Sequence, residues 1–213
     1  MNNVFPSILL IWPGKKEVDK ELLEGLFRKG LTFIEYRPHK QESRKRIIQN
    51  LNILKKIFPM VMINNHADLM EFSDGVWVGE KDMSIPEVKK RFCFEKYKII
   101  GKTVKTEKQL SFATRHQADV IGVGAVFQSP TKREAAMTDW PIIEKIIQKS
   151  KMPAYLVGGI DACNLNLFLK NHRLRQLRVA VSSGILESEN PVASFVKLRK
   201  LIKNYKSPIE SSN

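Results

Sequence analysis

Two rhythms of hydrophobic and polar positions follow one another from end to end of this chain. Short aliphatic or β-branched runs are each succeeded by a longer segment with apolar residues three and four positions apart. The short runs predict strands at Ser7–Trp12, Thr32–Tyr36, Met60–Ile63, Gly75–Val78, Lys98–Lys102, Val120–Gly124, Ala154–Val157 and Val179–Val181. The longer period predicts a helix over Lys16–Lys29, with Val18, Leu22, Leu23 and Leu26 on one face. A basic helix from Gln41 to Ile57 turns Ile47, Ile48, Leu51 and Leu54 inward. Further helices are expected over Ile85–Arg91, Glu107–Gln117, Pro141–Lys149 with Asp139 near its N-cap, Asn164–Asn171, and Pro191–Asn204 with its proline at the start. Ala67–Phe72 reads as a short helical turn.

The strands are apolar enough to be buried on both faces, which is the signature of parallel sheets. Eight strand–helix pairs point to an α/β fold, a single (β/α)8 TIM barrel of minimal length over residues 1–205, with 206–213 as a disordered tail. A doubly wound open sheet is the alternative. It needs fewer strands and a glycine-rich first turn, and Trp12-Pro13-Gly14 is no such turn.

Composition narrows the class. An apolar share of 43% supports a packed interior, and no apolar run approaches the roughly 18 residues of a membrane span. Cys93 and Cys163 are isolated thiols without metal-ligand spacing, which fits a cytoplasmic location. The net charge of +14 raises nucleic acid as a partner, yet the basic residues are spread over many segments without interleaved aromatics. Nucleic acid is therefore disfavoured, and attraction of anionic substrates is the weaker inference that remains. A homo-oligomer is left open.

In such barrels chemistry sits at the C-terminal ends of the strands, and phosphate often binds after strands seven and eight. Strand seven ends in Gly158-Gly159, and strand eight in Ser182-Ser183-Gly184; both admit an anion to backbone N–H groups, or are simply tight turns. After strand six, IGVGAVFQSPTK carries Ser129, Thr131 and Lys132 on a loop stiffened by Pro130, chemistry suited to a phosphate or pyrophosphate oxygen. Gly122 and Gly124 allow close approach to the backbone there. Glu35, Arg37, Asn64, Asn65 and Thr103 are the polar groups at other strand ends. Asp82, with Glu80 as a second candidate, would suit Mg²⁺, which takes one or two carboxylates plus phosphate oxygens; the alternative is that both cap the next helix.

Taken together, IEYRPHK (34–40), MINNHADL (62–69), DGVWVGEKDM (74–83), IIGKTV (99–104), ADVIGVGAVFQSPTK (118–132), YLVGGI (155–160) and VAVSSGI (179–185) resemble the thiamine phosphate synthase/TenI family, in the family's order. The resemblance implies an enzyme of thiamine biosynthesis. It would couple hydroxymethylpyrimidine pyrophosphate to thiazole phosphate, giving thiamine phosphate and releasing pyrophosphate in a dissociative, Mg²⁺-assisted reaction. By motif, Lys132 takes the catalytic place, with Ser129 and Thr131 on phosphate-bearing ligand. Arg37, Asn64 and Thr103 fall on the pyrophosphate and pyrimidine side; Gly158, Gly159, Ser182 and Ser183 fall on the thiazole phosphate side, and Asp82 on a metal-binding aspartate. The departures are local. Asn65 stands where the family has aspartate, Glu35 where glutamine is usual, Trp77 where histidine is usual, Glu80 for a common glutamine, and a lysine is missing near His39. Thiazole tautomerases among TenI relatives carry a histidine past strand five, where Lys105 stands here; of the four histidines, His66 is the best substitute. A binding or regulatory paralogue without coupling activity is the second expectation.

Overall fold

The structure, a computed structural model, describes residues 5–92, 97–128, 137–172 and 174–205. Eight parallel strands close into a barrel in sequence order: β1 Ile8–Pro13, β2 Phe33–Arg37, β3 Met60–Asn64, β4 Gly75–Val78, β5 Ile99–Val104, β6 Val120–Gly124, β7 Ala154–Val157 and β8 Val179–Val181. The closing pair sets Ile8, Leu9 and Leu10 against Val179, Ala180 and Val181. That ladder leaves no open sheet edge and rules out the doubly wound alternative.

Helices α1 Lys20–Arg28, α2 Arg44–Ile57, α3 Ile85–Phe92, α4 Glu107–Arg115, α5 Trp140–Lys149, α6 Ala162–Asn171, α7 Ser183–Leu186 and α8 Pro191–Asn204 surround it, with a 3₁₀ turn at Ala67–Phe72. Their starts are set by caps rather than by the apolar period. α1 begins at Lys20, not Lys16, because Asp19 accepts the N–H of Leu22 at 3.0 Å, and α2 waits for Ser43, which accepts that of Arg46 at 3.3 Å. α6 starts two residues before its expected position because Asp161 and Asn164 form a reciprocal capping box. α7 was not expected: four residues carry too little period to register.

Alternation along the strands divides the core in two. Outward residues such as Ile34, Ile63, Val76, Val123 and Leu156 pack under the helices, while Leu9, Phe33, Met62, Trp77, Val120, Tyr155 and Ala180 fill the barrel. The lower end is plugged by aromatic rings: Phe33 meets Phe5 and Tyr155 at centroid distances of 6.1 and 5.9 Å, and the Tyr155 hydroxyl donates to the Pro6 carbonyl. Burying a ring such as Phe33 stabilises by about 1.5–3 kcal/mol. Towards the upper end the inward positions change character, to Glu35, Asn64 and Thr103. That gradient places the polar chemistry at the C-terminal mouth.

Candidate active site

The wall formed by β6, β7 and β8 is built from backbone. Gly158 and Gly159 take positive φ values of 104° and 60°, which only glycine adopts at little cost. A Cβ on Gly158 would stand 2.6 Å from that of Ala125, and one on Gly159 2.6 Å from the Gln128 carbonyl oxygen. The segment after β6 is laced to this turn, Val126 N–H donating to Val157 at 2.9 Å and Phe127 N–H to Gly158 at 3.1 Å. Asn164 then holds the Gly159 carbonyl at 2.7 Å from α6. Gly184 packs so closely on the Ile160 carbonyl that a Cβ there would overlap it, which locks the loops after β7 and β8 together. Ser182 and Ser183 are half-buried at the start of α7, and the Ser182 side chain makes no cap hydrogen bond. The Ile185 and Leu186 N–H groups donate to the Ser182 carbonyl at 3.1 and 2.9 Å, which leaves those of Ser183 and Gly184 without an acceptor inside α7. Hydroxyls and N–H groups of this kind suit an anion. The glycines, however, are needed first by the protein's own backbone.

The opposite wall, from β2 to β5, is made of side-chain couples. Arg37 ends β2, and its carbonyl accepts from Gly14 N–H at 2.7 Å. The loop beyond it is held by Glu42, whose side chain is only 3% exposed. Glu42 accepts from Tyr36 Oη at 2.5 Å, Asn50 Nδ2 at 3.0 Å and the His39 N–H at 3.1 Å. Burial and then the Glu42 carboxylate push the Tyr36 phenol well above its usual value, keeping it protonated as the donor. Inside the barrel, Asn64 Nδ2 donates to Glu35 Oε1 at 2.8 Å, and Trp77 Nε1 to Thr103 Oγ1 at 3.2 Å. Asn65 is exposed with φ at 68°, a left-handed conformation that Asn and Asp tolerate better than other side chains.

Next to this pair, the turn after β4 carries the acidic residues. Asp82 Oδ2 accepts the Gly79 N–H at 2.5 Å, and Lys102 Nζ donates to the Gly79 carbonyl at 2.5 Å. Helix α3 is capped by others: Ser84 N–H meets Glu87 Oε2 at 2.9 Å, so Asp82 and Glu80 are not its caps. Lys102 is 7% exposed, and burial lowers its ammonium pKa while Asp82 and Glu80 oppose the shift. As a donor set, Asp82 and the exposed Glu80 offer only oxygen, which fits a hard cation completing its shell from phosphate and water.

Arg37, Asn64, Thr103, Asp82, Gly158, Gly159, Ser182 and Ser183 thus all lie at the C-terminal end of the barrel. Ser129, Thr131 and Lys132 lie outside the described residues. His39 and His66 follow strands at this mouth, whereas His116 and His172 end helices at the far side, stacked on Phe112 and on Trp140 and Phe168. Lys105 is exposed beyond β5. Sequence reasoning missed Glu42, Lys102 and the use made of Gly122. A signal for Lys102 existed: it occupies the outward register between Ile100 and Val104, where the other strands carry aliphatic or aromatic residues. Gly122 is approached closely, as expected, but by the Trp77 ring, whose Cζ2 would lie 2.7 Å from a Cβ there.

Fold and site define a closed (β/α)8 barrel with polar, oxygen- and nitrogen-rich groups gathered at one mouth. Residues 9–185 match the family model described as thiamine monophosphate synthase, and the chain belongs to that family. It is 30% identical over 202 residues to a thiamine-phosphate synthase of Dictyoglomus turgidum, covering 91% of this chain and 86% of that protein. A thiamine-phosphate synthase of Persephonella marina is 28% identical over 203 residues, 88% of this chain and 94% of its own. Among solved structures, a thiamine phosphate pyrophosphorylase from Pyrococcus furiosus superposes with a TM-score of 0.77 at 22% identity, covering 92% of this chain and 95% of that one. No helix among the described residues is long and apolar enough to cross a membrane.

Proposed function

We propose that this chain acts in the cytoplasm as a thiamine phosphate synthase, joining hydroxymethylpyrimidine pyrophosphate to thiazole phosphate and releasing pyrophosphate. The observation that carries the reading is the placement of two unlike walls at one mouth. Gly158, Gly159, Ser182 and Ser183 offer backbone and hydroxyl donors on one side; Arg37, Asn64, Thr103 and Asp82 stand on the other. The first wall suits the thiazole monophosphate, the second the pyrimidine and its pyrophosphate. In the reaction, the bond between the pyrimidine methylene carbon and the leaving oxygen breaks, pyrophosphate departs with the electron pair, and the thiazole nitrogen captures the carbon. The residues contribute by neutralising the departing charge and aligning the two rings. Arg37, at the end of β2, would meet pyrophosphate oxygens, and Lys132 is proposed for the same charge. Asp82 with Glu80 would hold Mg²⁺, which supplies further neutralisation of the pyrophosphate.

One observation favours a second reading, a thiazole phosphate or thiamine phosphate-binding paralogue without coupling. Asn65 sits exposed at the mouth where a carboxylate would add a metal ligand. Purified protein supplied with both substrates and Mg²⁺ separates the two. Release of pyrophosphate in equal amount with thiamine phosphate supports the synthase. Thiazole phosphate binding by calorimetry with no release supports the paralogue.

A further inference from the structure

The positive charge that is scattered along the chain is gathered in space at one end of the barrel. Helices run antiparallel to the strands, so their last turns lie at the N-terminal end of the strands, opposite the mouth. Helices α1 to α6 and α8 each carry lysine or arginine in the last turn, and none carries an acidic residue there. At the mouth end the sign reverses, with Asp19, Glu21, Glu107 and Asp161 among the residues that open helices. A single cation per helix end is what the helix dipole favours. The sector from α2 to α4 exceeds that: α2 ends in Lys55-Lys56, α3 in Lys89-Lys90-Arg91 and α4 in Arg115.

Part of this charge serves the fold. Lys55 pairs with Asp74 at 2.5 Å, and Lys89 donates to the His116 and Gln117 carbonyls at 2.9 and 3.1 Å. These ties tether α2 beside β4 and join the ends of α3 and α4, making one surface. The acids of this sector among the described residues, Asp74 and Asp119, are engaged too, accepting the Val61 and Ile100 N–H groups at 2.8 Å each. Lys56, Lys90, Arg91 and Arg115 are all exposed, and none of them forms a salt bridge among the described residues. Two exposed rings accompany them. Tyr97, 70% exposed, is held through its hydroxyl by Asp119, and Phe112 is stacked on His116 at a centroid distance of 4.3 Å.

We propose that this basic sector, at the ends of α2, α3 and α4 and opposite the mouth, is a docking surface for single-stranded nucleic acid. Lys56, Lys90, Arg91 and Arg115 would meet successive phosphates, and Tyr97 and Phe112 would carry stacked bases. Cations without carboxylate partners gain by releasing the counterions of a polyphosphate chain. Rings tied at one point leave a face for an unpaired base, which a duplex does not offer. A lipid surface has the same sign of charge, but it calls for aliphatic side chains that enter the acyl region. The large apolar side chains exposed in this sector are the two rings. The surface is independent of the coupling reaction and does not rest on it.

The test follows a short fluorescein-labelled oligoadenylate by anisotropy on the full chain, over a series of salt concentrations. With four phosphates engaged, log affinity should fall against log salt with a slope of about −3. Lys90→Glu combined with Arg115→Glu should weaken binding by at least about tenfold and flatten that slope. Lys20→Glu combined with Lys108→Glu makes the same change in net charge at the mouth end, on two exposed residues, and should change affinity by about twofold at most. Tyr97→Ala should cost about fivefold, while Tyr97→Phe, which keeps the ring, should bind as the native chain does. Equal losses in the two double variants would reduce the effect to net charge and overturn the proposal. So would salt-independent binding, no binding, or unchanged affinity in Tyr97→Ala. Binding to phosphatidylserine vesicles by a chain that ignores the oligoadenylate would put a lipid surface there instead, and overturns it as well.

Discussion

The two walls of the mouth are held by different means. On the β7–β8 side the shape comes from main chain against main chain: Gly159 under the Gln128 carbonyl, Gly184 under that of Ile160, and an Asp161–Asn164 box anchoring the next helix. On the β2–β5 side it comes from side chains that hold one another, Glu35 with Asn64, Trp77 with Thr103, Glu42 with Tyr36, and Lys102 over the Gly79 turn. A backbone wall keeps its form as long as its glycines remain glycine. A wall of couples is retuned whenever one partner changes. The departures from the resembling family at Glu35, Asn65, Trp77 and Glu80 all fall on the second kind.

The largest effect is expected where the backbone wall is broken. Gly184→Val would drive side-chain atoms into the Ile160 carbonyl and should cost about 3 kcal/mol or more. Urea denaturation reads it, and an unchanged midpoint would deny the interlock. Ser183→Asp leaves that packing but sets a negative charge among the groups proposed to hold the monophosphate. Thiazole phosphate affinity should fall by about 100-fold in calorimetry, with a near-native urea midpoint and little change for pyrophosphate. A comparable loss for both ligands would merge the two walls into one site.

The side-chain wall answers to smaller changes. Lys102→Met strips the Gly79 carbonyl of its buried donor and loosens the turn that carries Asp82. Mg²⁺-dependent pyrophosphate affinity should drop by about tenfold while thiazole phosphate affinity holds. Equal affinity in the variant would show that Lys102 is packing alone.

The same division explains how much could be read from the sequence. All eight strands and the closed barrel follow from alternation and apolar runs, because each strand must bury both faces. The position of the glycine- and serine-rich wall was legible too, since Gly158-Gly159 and Ser182-Ser183 sit at the ends of strands seven and eight. What the sequence does not carry is which partner a polar residue meets across the sheet. The Trp77 ring reaches over Gly101 and Gly122, residues far apart in the chain, and Lys102 meets a carbonyl 23 positions earlier. Where helix starts were missed, at α1, α2 and α6, the reason is local: Val18 continues the apolar period of α1, yet Asp19 caps the helix after it.

The most direct measurement is an Mg²⁺ titration of pyrophosphate release from both substrates, on the native chain and on Asn65→Asp. Position 65 already has the left-handed backbone that aspartate tolerates, so the substitution adds a carboxylate without strain. Native turnover is expected, reaching half its maximum at an Mg²⁺ concentration about fivefold higher than the variant requires. Superimposable curves would contradict a depleted metal side, and no release from either protein would contradict the synthase reading itself.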